Sequence, residues 1–162
     1  MSHRPSITAA PVMTRLGDYV RHHARAAPGR EAVVADGWRM TYAELDARVD
    51  RCARALIAAG VGKGDRVAML ANPSPDFLAV FLAATDIGAI WLGLSPRYKI
   101  DEYRYLIGDS RPKVVFAIGR FEGRDYAGDL AALRAEFDCI ETLVHLDGAG
   151  EDGACLEAFL RT

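Results

Sequence analysis

The sequence predicts an α/β fold: a mostly parallel βαβ sheet with flanking helices, preceded by an N-terminal β-hairpin. Three observations point there. Helical patterns alternate with short apolar runs from Thr41 to His145, the order that βαβ crossovers produce. Upstream, two strand-like runs flank Asp36-Gly37, the strongest short hairpin signal. The chain has 162 residues, 51% of them hydrophobic. That is enough for one core, since a chain of this size removes about 70% of its surface from water on folding.

The elements follow in order. Residues 1–13 carry Pro5 and Pro11 and no continuous apolar run, which excludes a signal peptide. Residues 1–15 therefore read as a flexible N-terminus and residues 16–162 as one α/β subdomain. Residues 16–27 have the spacing of an arginine-rich amphipathic helix, with Leu16, Tyr19, Val20 and His23 on one side and Pro28-Gly29 as its stop. Residues 31–35 and 38–40 are the hairpin strands. The second leads into Thr41-Tyr42-Ala43-Glu44, a capping box in which the Thr41 hydroxyl serves the Glu44 amide and the Glu44 carboxylate reaches back. Met40 and Leu45 are spaced for a hydrophobic staple. The helix that follows lines Leu45, Val49, Cys52, Ala53, Leu56 and Ile57 along its inner face and ends at Gly60.

Residues 66–71 read as a strand. Ser74-Pro75-Asp76 opens the next helix, with Ser as cap, Pro at the first helical position and Asp against the dipole. That helix is apolar all round over residues 77–84 and is expected to be buried on more than one face. A buried strand (89–94), a helix (101–107, stopped by Gly108) and a strand (113–118) come next. Residues 130–137 read as helical, 140–145 as extended and 155–160 as helical, with a Gly-rich acidic loop at 147–153.

Composition excludes several classes. A formal net charge of −2 and a pI near 6.1 argue against a nucleic-acid binder. Residues 77–94 contain 18 residues with one charge, the lower edge of membrane-span length. Asp86 sits mid-span, where a carboxylate costs about 3 kcal/mol, and Gly88 and Gly93 interrupt the pattern, so no membrane span is expected. Cys52, Cys139 and Cys155 form no C-x-x-C pair, and two of them lie among apolar neighbours, as buried free thiols do. A reducing cytoplasm suits them.

Catalytic and metal motifs do not emerge from spacing. Gly60-Val61-Gly62-Lys63-Gly64 follows a helix and precedes a strand, the reverse of a phosphate loop, and no Ser or Thr follows the Lys. His22 and His23 are adjacent on a helix and do not face each other, so no metal site is expected. Asp101 and Glu102 fall in a first helical turn, which the dipole explains without acid–base chemistry. No catalytic residue is assigned. The one marked segment is Ser95-Pro96-Arg97-Tyr98, just beyond a parallel strand, where ligands of open α/β sheets gather. Arg97 offers a phosphate partner and Tyr98 a stacking face.

Five segments in order carry a resemblance: Met-Thr-Tyr-Ala-Glu-Leu (40–45), the run from Gly60 to Leu70, Asn-Pro-Ser-Pro-Asp-Phe (72–77), the run from Ile87 to Arg97, and Asp109-Ser110 before Lys-Val-Val-Phe. Together they resemble the opening of an adenylate-forming (AMP-binding) enzyme, within it a bacterial-type acyl-CoA synthetase or fatty-acid–CoA ligase. The resemblance implies an incomplete portion of that family's large N-terminal domain. It implies a parent protein that uses ATP, Mg and CoA and takes a carboxylic acid as substrate. It also implies that Ser95, Arg97 and Tyr98 lie near the adenine end of CoA. Where relatives often open the next helix with Thr-Pro, this chain has Lys99-Ile100, a weaker cap.

The family's phosphate loop, rich in Ser, Thr and Gly and ending in Lys, and its C-terminal catalytic Lys have no counterpart here. The 162 residues alone are thus expected to be inactive, to need no cofactor, and to self-associate through apolar surface meant for the missing C-terminal remainder. The competing reading is a stand-alone non-catalytic module that binds a partner or nucleotide. A generic Rossmann-like domain is a poor third, since no G-x-G-x-x-G links a strand to a helix.

Overall fold

The computed structural model describes residues 12–35, 37–148 and 153–162. Residues 1–11 of the flexible N-terminus expected at 1–15, and the middle of the Gly-rich loop, lie outside the described residues. Helix α1 (Leu16–Ala26) is followed by the hairpin β1 (Glu31–Ala35) and β2 (Trp38–Thr41), antiparallel with Ala35 opposite Trp38. Helix α2 (Tyr42–Ala58) starts on the predicted capping box. Glu44 N donates to Thr41 Oγ1 at 3.3 Å, and Thr41 N donates to the Glu44 carboxylate at 2.8 Å. Met40 and Leu45 are both buried at that junction.

The main sheet is built from β3 (Arg66–Leu70), β4 (Ile90–Leu94), β5 (Val114–Ala117), β8 (Thr142–His145) and β9 (Ala154–Cys155), in the order β4-β3-β5-β8-β9 with every pair parallel. Between them run α3 (Pro75–Asp86), α4 (Ile100–Ser110) and α5 (Ala127–Glu136), and α6 (Leu156–Phe159) closes the described chain. Period-two alternation sorts the core into two clusters. Val67, Met69, Val114, Phe116 and Val144 face α2, α3 and α6, while Ala68, Leu70, Val115, Ala117 and Leu143 face α4 and α5. Three layers result, with α1 packed outside α2 and α3.

Several expectations are corrected. The strand at 90–94 is not buried: β4 is a sheet edge, Ile90 is 54% exposed, and only Leu94 is fully covered. Trp91 nevertheless stacks edge-on against Phe77 and Phe81 of α3, at 5.2 and 5.6 Å between centroids. On α2, Ile57 points outward at 57% exposure and Ala55 takes the inner position, because the interface follows 3.6-residue geometry and not hydrophobicity alone. Leu16, grouped with Val20 on one side of α1, is exposed, while Gly17 and Val20 are buried. Gly108 does not stop α4: the helix runs through it to Ser110 and ends at Arg111 in the left-handed conformation. A Cβ at Gly108 would lie 3.2 Å from the Phe137 ring, so that glycine serves close packing. Only Cys52 of the three thiols is buried, and Cys139 and Cys155 are half-buried.

No helix among the described residues is long and apolar enough to cross a membrane. Residues 77–94 divide into α3, a turn and β4.

Candidate functional site

The sheet order fixes where a site can form. Because β4 and β5 lie on opposite sides of β3, the chain's direction across the sheet reverses there, and ligand crevices in open α/β sheets lie beyond such a point. The segment after β3 turns into α3 on one face of the sheet. The segments after β4 and β5 both turn to the other face, into α4 and α5. The loop after β4 and the chain after β5 can thus meet across the carboxyl end of β3.

They do meet, through an element the sequence reading missed. Residues 120–125 form a small hairpin, β6 (Arg120–Phe121) and β7 (Arg124–Asp125), between the strand expected at 113–118 and the helix expected at 130–137. Its turn is Glu122-Gly123, both with positive φ (48° and 82°). Gly at the second turn position was the available signal. Glu122 is the unusual member, since a non-glycine left-handed residue costs roughly 1 kcal/mol or more.

The loop at residues 95–98 is held from three directions. The Tyr103 hydroxyl donates to the Ser95 carbonyl at 2.9 Å, the Tyr126 hydroxyl to the Pro96 carbonyl at 2.6 Å, and Arg124 Nη1 to the Tyr98 carbonyl at 2.5 Å. Within the loop, Arg97 N donates to Ser95 Oγ at 3.2 Å and Tyr98 N to the Ser95 carbonyl at 3.1 Å, closing a tight turn. Both tyrosines are fully buried. Burial pushes the Tyr103 hydroxyl up to about 12, so it remains a donor across the physiological range. Arg124 lies over the rings of Tyr126 (4.7 Å) and Tyr103 (5.8 Å) and pairs with Asp129 at 2.6 Å.

Arg97 is the exposed member, with 69% of its side chain open to solvent. Its guanidinium sits 5.4 Å above the Phe121 ring, and Nη2 pairs with Glu122 at 2.5 Å. Tyr98 is half-buried and tilts toward Tyr103, 6.2 Å between centroids. Beside it a shallow groove is lined by Tyr98, Asp101, Glu102, Tyr105 and Leu106. The structure therefore gathers Ser95, Arg97 and Tyr98 on one rigid loop at the carboxyl edge. The weak cap expected at Lys99 is compensated locally: Lys99 N donates to the Glu102 carboxylate at 2.7 Å.

Other marked residues lie elsewhere. The run from Gly60 to Gly64 is at the opposite, amino edge of the sheet, where Gly64 N donates to the Gly88 carbonyl at 2.9 Å. His22 and His23 contact edge-on, and His23 also stacks on Tyr42. Among the described residues no group of three or more His, Cys, Asp or Glu is placed to hold a metal ion. A second hollow at the carboxyl ends of β5 and β8 holds Arg120, Asp125, His145 and Asp147. There the Asp147 carboxylate already accepts from the amides of Gly119 (2.7 Å) and Arg120 (3.3 Å).

The model of a family described as AMP-binding enzyme matches residues 20–158. The long-chain-fatty-acid–CoA ligase FadD13 of Mycobacterium tuberculosis is 34% identical over 139 residues, covering 85% of this chain and 27% of that protein. The 3-hydroxybenzoate–CoA ligase of Aromatoleum sp. is 36% identical over 110 residues, 67% of this chain and 21% of that one. Among solved structures, a protein from Rhodopseudomonas palustris described as a long-chain-fatty-acid CoA ligase superposes with a TM-score of 0.82 at 30% identity. It covers 90% of this chain and 36% of its own. The N-terminal domain of FACL13 from Mycobacterium tuberculosis superposes at 0.77, with 30% identity, 93% of this chain and 36% of that one. The chain spans about a quarter of the length of these two curated ligases.

Proposed function

The chain belongs to the AMP-binding enzyme family, and we propose from that premise that it is the N-terminal scaffold of an ATP-dependent acyl-CoA synthetase. In that reaction a carboxylate oxygen attacks the α-phosphorus of ATP, pyrophosphate leaves, and the CoA thiol then displaces AMP from the acyl carbon. Charge builds on the phosphates in the first step and calls for amide and cationic donors there. The loop and lysine that supply them in the family have no counterpart among these 162 residues. The chain alone is accordingly inactive, and ATP, Mg and the carboxylic acid are bound by the remainder of a longer protein.

The contribution of these residues is architectural, with one contact: Ser95, Arg97 and Tyr98 receive the nucleotide end of CoA. The observation that carries this part is the clamped loop, whose backbone is fixed by Tyr103, Arg124 and Tyr126 while Arg97 stays open. Such a loop presents a cation at little conformational cost on binding. Apolar side chains left open, Trp38 and Ile90 among them, support self-association of the isolated piece. The three unpaired thiols suit a cytoplasmic setting.

The test expresses the 162 residues and, separately, the product of the reading frame continued past the Thr162 codon. Pyrophosphate release and thioester formation are followed with fatty, aromatic and short acids. The short chain gives neither product and the longer one gives both. Turnover by the short chain overturns its inactivity. A stop codon after Thr162, or a longer product inert with every acid, overturns the ligase reading in favour of a binding module.

A further inference from the structure

We propose that Glu122 is an internal competitor for the ligand of Arg97: its carboxylate occupies the guanidinium until a phosphate of the incoming nucleotide displaces it. The inference rests on the reading that Arg97 meets the nucleotide end of CoA, and adds a residue that sets how tightly that end is held. Three observations carry it. Glu122 Oε1 takes Arg97 Nη2 at 2.5 Å, 25 residues away in sequence, and is the only salt-bridge partner of Arg97 among the described residues. Glu122 occupies a left-handed position, φ 48°, beside a glycine that needs no such tolerance. A residue whose backbone runs against its preference is a pointer to function. Finally, the Phe121 ring lies under the guanidinium at 5.4 Å, a contact independent of the carboxylate that keeps Arg97 in place when the carboxylate leaves.

The pair is built for exchange. Both partners are open to solvent, 69% for Arg97 and 58% for Glu122, so the bond is weak and breaks without a desolvation cost. A phosphate offers the same charge-assisted hydrogen bonds with more charge, which favours displacement. Of the neighbouring arginines, Arg124 is committed to Asp129 and the Tyr98 carbonyl, and Arg120 pairs with Asp125 at the separate hollow that also holds His145 and Asp147. Arg97 is therefore the cation on this loop whose partner can be traded.

The experiment titrates adenosine 3′,5′-bisphosphate into the 162-residue chain and follows the amides of Ser95, Arg97 and Tyr98 by NMR. Glu122→Gln binds about two- to fivefold tighter than the parent, the range that an exposed ion pair represents. Glu122→Asn, neutral and better suited to the left-handed turn, does the same, while melting temperatures stay close to the parent's. The advantage shrinks as salt is raised, because salt weakens solvent-exposed ion pairs; a merely structural change would not follow salt. If Arg97→Gln binds as the parent does, the nucleotide reading of the loop falls. If Arg97→Gln weakens binding but Glu122→Gln and Glu122→Asn leave it unchanged, that reading stands and the competitor role of Glu122 falls. Absence of binding by the parent and by both Glu122 variants overturns both.

Discussion

Replacing Tyr126 by Phe removes one oxygen from a fully buried side chain and leaves its ring in place. The hydroxyl donates to the Pro96 carbonyl at 2.6 Å, and Pro96 is itself buried, so no water takes the vacated position without opening the loop. An orphaned buried acceptor costs about 1–3 kcal/mol. For a chain of this size each kcal/mol moves the melting temperature by roughly 2–4 °C. A central cost of about 2 kcal/mol therefore lowers it by roughly 4–8 °C. The ring contacts with Arg124 persist, which confines the loss to the hydrogen bond. Scanning calorimetry gives the shift, and hydrogen exchange at the amides of residues 97 and 98 reports the loop directly. Tyr105→Phe, on a side chain 74% exposed, is the control and melts with the parent. If Tyr126→Phe melts within 1 °C or so of the parent and its loop amides exchange no faster, the loop is not held by this bond, and the preorganisation argued for Arg97 fails with it.

Four further outcomes are expected. Burial pushes the Cys52 thiol up to about 12, so in the folded chain a maleimide or disulfide reagent near pH 8 labels Cys139 and Cys155 and spares Cys52 until denaturant is added. The same raised value means that the stability tied to the neutral thiol is complete below about pH 8.5 and is lost as pH rises toward 12, visible as alkaline unfolding that Cys52→Ala reduces. The Glu44 carboxyl is held below its ordinary value by the Thr41 amide and then its hydroxyl, so its contribution is present above about pH 4.3 and lost as pH falls through the lowered value; the stability gap to Glu44→Gln, read by urea titration, closes as the solution is acidified. Gly17→Ala places a methyl 2.2 Å from Oδ2 of Asp86, whose side chain is only 5% exposed and paired with Arg21. It destabilises by about 1–3 kcal/mol, and Asp86→Ala in the same chain recovers part of that loss, which independent sites would not do.

The elements legible in the sequence are those whose determinants are local. Thr41 and Glu44 are three residues apart, as are Ser74 and the Phe77 amide it caps at 3.0 Å, so the starts of α2 and α3 can be read from the chain alone. The order of apolar runs likewise reveals the parallel sheet. What cannot be read is which strand stands at its edge. Ile-Trp-Leu-Gly-Leu is as apolar as a central strand, yet the order β4-β3-β5 leaves it with one neighbour in the described chain. Gly108 misleads for a related reason. Glycine as a helix stop and glycine as a packing contact look identical in sequence, and only the approach of Phe137, 29 positions later, decides between them.

The candidate site divides along the same line. Ser95, Arg97 and Tyr98 stand out because they follow an apolar strand, and that much needs no tertiary structure. Their partners Tyr103, Glu122, Arg124 and Tyr126 lie between 8 and 30 residues away and had no such marker. The topology explains why they converge. Neighbouring strands lie about 4.8 Å apart, so the ends of β4 and β5 are roughly 10 Å from each other across β3. That gap is too wide for backbone pairing and well within reach of arginine and tyrosine side chains. The exit of β3 to the opposite face leaves the span to side chains alone. Long polar side chains reaching from the β5 side are thus what the reversal of the sheet demands if the loop after β4 is to hold a fixed shape. The hairpin at residues 120–125 delivers Arg124 and, just beyond it, Tyr126 to that task, and sets Glu122 against Arg97, which stays open to solvent.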